Sequence, residues 1–442
     1  MGKKRTHASD EPRPAKIRKP TAADLEAEQS PPEFIIDEEK GLRRVVPYWF
    51  THRTMAKGRW WGRKVLEVFQ KEFQDQPPDY YKRAIEAGKI SVNHEQKSID
   101  YVLRNGDLVS HSTHRHEPPV SNANISIVFQ DDDLLVIDKP PGIPVHPSGR
   151  YNHNTVLGIL KAPEYGFKNL FSVNRIDRLT SGILLVALRK DKAAELAAQL
   201  ADRTVEKTYL SRVKGRFPSE PIHCAEPILV LSNKLGVNTV SPEGRPCETN
   251  FTLLNYNPET DTSVVVCEPK TGRTHQIRVH LQFLGYPIAN DPIYCNTDLW
   301  GPDLGKGGVK DPQQVMENIK NAKFLADLGE GVIDLPSVVP AVEKVTAQQI
   351  SDASEETIGS ETAATADILN VNEKTLDSGS SSKPADAHPA DAFPCAECAI
   401  TRPDPLPSQL RIFLHSWKYS GQGWAYETKM PEWAEETFSE KQ

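Results

Sequence analysis

Two stretches hold the side chains best suited to chemistry. In V-N-R-I-D-R-L-T-S-G-I-L-L-V-A, residues 173–187, a single carboxylate, Asp177, stands between Arg175 and Arg178. Farther along, K-T-G-R-T-H-Q-I-R-V-H-L gathers Arg273, His275, Gln276, Arg278 and His280. A carboxylate flanked by arginines reads in two ways. It is either a structural ion pair or an ionised oxygen presented to a substrate. A segment this dense in donors is costly to bury unless its charges meet a carboxylate or phosphate. Helix starts rich in donors also bind anions well.

The elements that must position these groups are legible nearby. The run Ile183 to Ala187, opened by Gly182, is apolar and β-branched, as a buried strand is. Asp177 then falls on a loop or tight turn entering a core strand, where chemistry tends to sit. Two strands are expected before it, Ile125 to Phe129 and Leu134 to Asp138, with Asp131 to Asp133 as the turn between them. K-P-P-G, residues 139–142, fixes a stiff turn, and Gly142 supplies a positive φ where one is needed. Lys190 to Arg203 has the apolar spacing of an amphipathic helix, with Leu196 and Leu200 inward. K-T-Y-L-S-R-V-K-G is an alternating strand that carries Tyr209, and Ser263 to Glu268 is another buried strand. In the donor-rich segment a helical reading turns Ile277 and Leu281 inward and leaves Arg278 on another side. R-I-F-L-H-S-W-K-Y, from Arg411, returns as a strand that pairs back into the main sheet.

The chain has 442 residues, enough for two or three domains. Charged residues make up 26% and hydrophobic ones 38%, as in a soluble globular body with added polar sequence. No run of about 18 apolar residues exists to span a membrane. Six cysteines without a secretory segment point to reduced thiols. The net charge of -7 is uneven: residues 311–391 hold 15 acidic and 5 basic residues, leaving the remainder slightly basic. Residues 1–40 read as a disordered tail with two small basic clusters that suit a nuclear signal or an RNA-touching arm. Its acidic residues argue against a mitochondrial transit peptide, so a cytoplasmic or nuclear location, or both, is expected. Residues 41–120 read as a compact module of helices and small strands carrying Lys82, Arg83, Lys89 and Lys97, suited to gripping RNA. Residues 121–300 form the main body, and 301–394 an acidic, mostly disordered insertion with one helix near Val315 to Leu328. Residues 395–435 return to the body.

Metal chemistry is weighed at three places. The aspartates at 131–133 are explained by the turn. His111, His114 and His116 fall in a polar connector. P-C-A-E-C, ending at Cys398, echoes half of a zinc site and needs two more ligands, for instance Cys295 or His415. It also echoes half of the zinc-deaminase signature, but none of the thirteen histidines has glutamate two positions on, which excludes that chemistry. No metal is therefore expected. A retaining glycosidase would need two carboxylates about 5 Å apart; the motifs offer one carboxylate and an arginine.

At this point the motifs resemble a family. N-R-I-D-R-L-T-S-G is similar to the catalytic motif of RluA-type RNA pseudouridine synthases. D-D-L-L-V-I-D-K-P-P-G-I-P-V-H-P, K-T-Y-L-S-R-V-K-G and T-G-R-T-H-Q-I-R-V-H-L, with G-Y-P-I-A-N-D-P-I-Y after it, match the other motifs in order. The resemblance covers roughly 125–295 and 410–433. Residues 80–120 resemble, more weakly, the S-four-like RNA-binding module that often precedes this fold. It implies an α+β fold, a mixed, mainly antiparallel sheet with a central active-site cleft. It also implies conversion of uridine to pseudouridine within RNA without cofactor or metal, in a monomer. The asparagine of N-R-I-D, the C-x-x-C and P-E-W-A look most like the eukaryotic branch acting on tRNA, which suggests an anticodon stem-loop as target. By resemblance Asp177 is the essential carboxylate, Arg278 its partner, and Tyr209 the ring that stacks on uracil and helps remove the carbon-5 proton. Arg175 would contact RNA where the target base leaves the stack, and Arg273, His275, Gln276 and Ile277 belong to the substrate-binding segment. The competing reading, an RNA-binding protein without catalysis on the same scaffold, is disfavoured because Asp177, Tyr209 and Arg278 are all present.

Overall fold

A computed structural model describes residues 32–73, 76–232, 236–322, 395–400 and 402–438. Residues 1–31 of the expected basic tail and most of the acidic insertion lie outside the described residues; the end of that tail is ordered, with Phe34–Asp37 a strand paired antiparallel with Leu42–Val45. The chain divides into two compact units. In the smaller, which includes residues 49–115, the helices Val65–Glu72 and Pro78–Glu86 pack on a sheet of Tyr48–Met55, Leu108–Arg115 and Ile90–Val92. Its core is Trp60, Val68, Phe69, Tyr81, Ile85 and Val109. His111 is not in a polar connector: it is buried against Phe69, with Nε2 3.2 Å from the Tyr80 hydroxyl. Residues 31–48 group with the larger unit.

The larger unit is built on a ten-stranded sheet. In chain order its strands are β1 (Ser126–Gln130), β2 (Leu134–Lys139), β3 (Ser181–Ala187), β4 (Glu206–Lys214), β5 (Ile222–Cys224), β8 (Thr249–Asn257), β9 (Thr262–Pro269), β10 (Leu414–Gly421) and β11 (Trp424–Glu427). The short pair Phe171–Ser172 adds to β3, and the hairpin β6 (Ile228–Ser232) and β7 (Val237–Val240) stands apart from the sheet. The order across it is β5-β8-β9-β4-β10-β3-β2-β1, with β11 beside β10. Only β3 and β10 run parallel among these pairs. The sheet is thus mixed and largely antiparallel, as expected. Asp131 makes the β1–β2 turn by accepting from the backbone N–H groups of Asp133 and Leu134. The helices are α1 (Val156–Lys161), α2 (Lys190–Ala201), α3 (Gln276–Leu284), α4 (Thr297–Trp300) and α5 (Pro312–Asn321).

Strands β2, β3 and β9 are buried on both faces, which is why they read as near-continuous apolar runs rather than alternating ones; β4, which reads as alternating, is likewise buried from Tyr209 to Val213. The strand expected from Arg411, β10, begins at Leu414; Pro407–Leu410 is a 3-10 turn before it. Its place is central, between β3 and β4. Arg212 on β4 fastens the chain that follows: its guanidinium donates to the carbonyls of Trp433 and Glu435 and to Thr262 Oγ1. No helix among the described residues is long and apolar enough to cross a membrane.

Candidate active site

The loop before β3 is held from both sides. Val173 N–H donates to the Leu185 carbonyl and Leu185 N–H to Asn174 Oδ1, folding the loop back along β3. Thr180 N–H donates to the Asp177 carbonyl, closing a turn at the carboxylate. From the K-P-P-G turn, Gly142 N–H donates to the Arg178 carbonyl at 2.8 Å. Gly142 has a φ of +85°, the conformation anticipated for it. Lys139 is fully buried and donates to the carbonyls of Pro140, Ile143 and Arg178 at 2.8, 2.9 and 3.1 Å. Three acceptors use all three ammonium protons, so one side chain ties two turns together. Burial pushes the Lys139 amine down to about 7.

Asp177 does not simply pair with its flanking arginines. Its Oδ2 lies 3.4 Å from Arg278 Nη1 and 3.7 Å from His275 Nε2, both delivered by the donor-rich segment. Its side chain remains 24% exposed, so it is reachable. Burial pushes the carboxyl up; His275, Arg278 and Arg175 pull it down and prevail, leaving it below the usual range. Arg175 itself is exposed, and the Arg178 guanidinium sits 5.9 Å over the Tyr151 ring.

Arg278 is fixed by a residue to which the sequence reading gave no role. Asp291, in the I-A-N-D-P stretch, accepts from Arg278 Nε at 2.7 Å and from Nη2 at 2.9 Å. Its Oδ1 also accepts the N–H groups of Ile293 and Tyr294. Both partners are shielded from solvent, with 1% and 0% of their side chains exposed. Such a two-pronged carboxylate–guanidinium contact sets orientation as well as charge. It leaves Nη1 as the prong aimed at Asp177. Burial lowers the Arg278 pKa and the Asp291 carboxylate raises it more, so the guanidinium stays charged.

Tyr209 is reached across the sheet. Lys139, Gly182, Ser416 and Tyr209 occupy one row over β2, β3, β10 and β4. At the usual strand spacing Tyr209 is therefore about 10 Å from Gly182. The register between β4 and β10 slips between Thr208 and Tyr209, a bulge of the kind that re-aims a side chain. Its hydroxyl hydrogen-bonds the hydroxyl of Tyr419 on β10. Burial, with the Tyr419 phenol and the Asp177 charge, pushes Tyr209 well above its usual pKa. That opposes the phenolate a proton-removing role would call for.

The remaining expected residues divide. Arg273 is exposed and reaches the Pro246 carbonyl at 3.4 Å. Gln276 and Ile277 are buried. Gln276 receives Thr271 Oγ1–H and Arg273 N–H and donates to the Glu248 carbonyl and Thr249 Oγ1, bracing the loop from within. Arg278, His280 and Gln282 are buried too, so α3 has no polar side facing water at these positions. The ligands considered for a zinc at the C-x-x-C do not gather there. His415 is engaged by Ser181 and Thr428, and the Cys398 thiol lies 3.4 Å from His116 Nε2 instead.

Comparison with known proteins agrees with this geometry. The RNA pseudouridylate synthase family pattern matches residues 133–283. The human pseudouridylate synthase RPUSD2 is 41% identical over 429 residues, covering 90% of this chain and 74% of that protein. The mitochondrial tRNA pseudouridine(32) synthase of Saccharomyces cerevisiae is 45% identical over 287 residues, 64% of this chain and 61% of that one. The tRNA pseudouridine(31) synthase of the same organism is 30% identical over 440 residues, 90% of this chain and 96% of that one. These relationships place the chain among RNA-modifying isomerases. Within that class it belongs to the RNA pseudouridylate synthase family, and it converts uridine to pseudouridine in RNA.

Proposed function

We propose that the RNA is a tRNA, that its anticodon stem-loop holds the target uridine, and that Asp177 is the reacting carboxylate. The observation that carries the reading is the meeting of a part-exposed carboxylate with the Arg278 guanidinium, 3.4 Å apart and from segments remote in sequence. The substrate assignment is supported by relatives whose names specify tRNA pseudouridine 32 and 31.

Isomerisation breaks the glycosidic bond, turns the uracil and rejoins it through carbon 5. Whether Asp177 attacks the sugar or removes its 2′ proton, it acts as an ionised oxygen beside the ribose. The low pKa maintained by Arg278 and its neighbours supplies that form at neutral pH. Extruding a uridine costs a few kcal/mol, least in a loop where bases are already splayed. Stacking on an aromatic ring returns about 1–3 kcal/mol, and Tyr209 is the ring at hand. With its hydroxyl bonded to Tyr419 it serves as a platform and not as a base. Exposed Arg175 and Arg273 supply phosphate contacts on the rim.

The test is site-by-site pseudouridine mapping on tRNA incubated with the full chain or with Asp177→Asn. The variant is expected to bind tRNA within about threefold of wild type and to form no pseudouridine, since it keeps shape and loses charge. Product formation near the wild-type rate would remove Asp177 from the chemistry. Product confined to other RNAs would refute the tRNA assignment alone.

A further inference from the structure

We infer that His275 is a positioning residue for Asp177, held as the neutral tautomer with its proton on Nε2 by a relay through Tyr294 from the backbone of β7. This rests on the reading of Asp177 as the reacting carboxylate. It gives His275 a task other than contact with RNA.

The relay follows from counting protons. The Tyr294 side chain is fully buried, and its hydroxyl oxygen has two polar neighbours, Asn238 N at 3.1 Å and His275 Nδ1 at 3.0 Å. Asn238 N–H is a backbone donor and can only give. The Tyr294 hydroxyl has one proton, and a buried hydroxyl must place it on an acceptor. Of the two neighbours only His275 Nδ1 has a lone pair to offer. The chain of donation therefore runs from Asn238 N–H to Tyr294 Oη, and from Tyr294 Oη–H to His275 Nδ1. With Nδ1 an acceptor, the ring proton sits on Nε2. That atom faces Asp177 Oδ2 at 3.7 Å, and a carboxylate favours N–H over a lone pair there.

The backbone is shaped to this end. His275 precedes α3 with φ +58° and ψ +18°, the left-handed region that residues other than glycine seldom adopt. The β6–β7 hairpin grips the loop beside it: Asn238 Nδ2 donates to the Thr274 carbonyl at 2.9 Å. The imidazole meets the Tyr294 ring edge to face, at 88° and 5.6 Å between centroids. Arg278 lies over the same Tyr294 ring at 5.0 Å.

The consequence is selective. Arg278 Nη1 and His275 Nε2 both approach Oδ2 of Asp177, at 3.4 and 3.7 Å. Two donors converging on one oxygen restrict the rotation of the carboxylate. At 3.7 Å the His275 contact is beyond hydrogen-bond length, so the neutral ring acts on Asp177 through its Nε2–H dipole; the stronger pull of a charged imidazole on the carboxyl would need the protonated form that the relay disfavours.

Two measurements on the full-length enzyme test this. In 15N-histidine-labelled protein near pH 8, one- and two-bond 1H–15N correlations are expected to show His275 with Nε2 protonated and Nδ1 bare, and Tyr294→Phe is expected to shift it toward a tautomer mixture. A wild-type Nδ1–H tautomer or an imidazolium overturns the relay, whatever the activity. In kinetics, His275→Leu is expected to lower kcat for pseudouridine by about tenfold to a hundredfold, the range for losing one preorganised donor, with KM for RNA within about twofold. His275→Gln, which retains an N–H, should recover most of the loss. Unchanged kcat in His275→Leu, while Asp177→Asn is inactive, refutes the positioning role alone. An active Asp177→Asn refutes the reading of the site beneath it, and the spectrum still decides the tautomer.

Discussion

At Asp177 two opposing forces set the charge of the carboxyl. Burial favours the neutral acid; His275, Arg278 and Arg175 favour the anion, and they win. A carboxyl with a depressed folded pKa contributes stability above its unfolded value of about 3.9, and that contribution is lost as pH falls through the folded value. With Asp177 as the proposed reacting carboxylate, the same sign governs turnover: its anion persists on acidification until that lower value is reached. Wild-type kcat should therefore show no Asp177 limb down to about pH 5. Arg278→Gln removes the charge at Nη1 and leaves the burial, so an acid limb should enter the measurable range and kcat should fall by about a hundredfold. A pH–kcat profile of the two enzymes checks both points. An identical acid side in the variant would show that Arg278 does not set the charge state of Asp177.

Among elements, β3 and β10 approach closely at Gly182. Gly182 has φ +109°, and a methyl group there would lie 2.2 Å from the Ser416 carbonyl oxygen. The neighbour is backbone in the middle of the sheet and cannot swing aside. Gly182→Ala is expected to destabilise the enzyme by at least about 2–3 kcal/mol, read as a lower urea midpoint, because it adds backbone strain to the clash. Unaltered stability would mean the two strands can part without cost. This strand was legible in the sequence because Ile183 to Ala187 is apolar and β-branched throughout. The aspartate turn at 131–133 and the helix from Lys190 were legible for equally local reasons: side-chain acceptors at a turn, and apolar spacing on one face. Asp291, Tyr294, Lys139 and Tyr419 were not. Each works through a partner on another segment, and periodicity carries no information on such pairings. Lys139 and Arg212 are hard to read for a further reason, since a lone basic residue in a strand is ordinarily a surface charge. Both are buried, with carbonyl oxygens around them in place of water. The family motifs supplied Asp177 and Arg278, but not the carboxylate that aims the arginine.

For the whole molecule, the net charge of -7 conceals its distribution. Residues 311–391 hold 15 acidic and 5 basic side chains, so the remainder is slightly basic and suited to a polyanion. Affinity for RNA should fall linearly on a log–log plot against salt. Arg273→Ala should flatten that slope by about one while affecting different tRNAs alike, as expected of a phosphate contact. Titrations at several salt concentrations read the slope directly; an unchanged slope would take Arg273 off the RNA path.

The position of β10 has a consequence for how the enzyme comes into being. The strand bearing Asp177's loop and the strand bearing Tyr209 do not touch; they are joined through β10, which the ribosome makes more than two hundred residues after Tyr209, the separation of Tyr209 and Tyr419 being 210. Until that late segment arrives, the strands carrying Asp177's loop and Tyr209 have nothing to join them in the sheet, and a chain cut short before β10 is expected to form no pseudouridine.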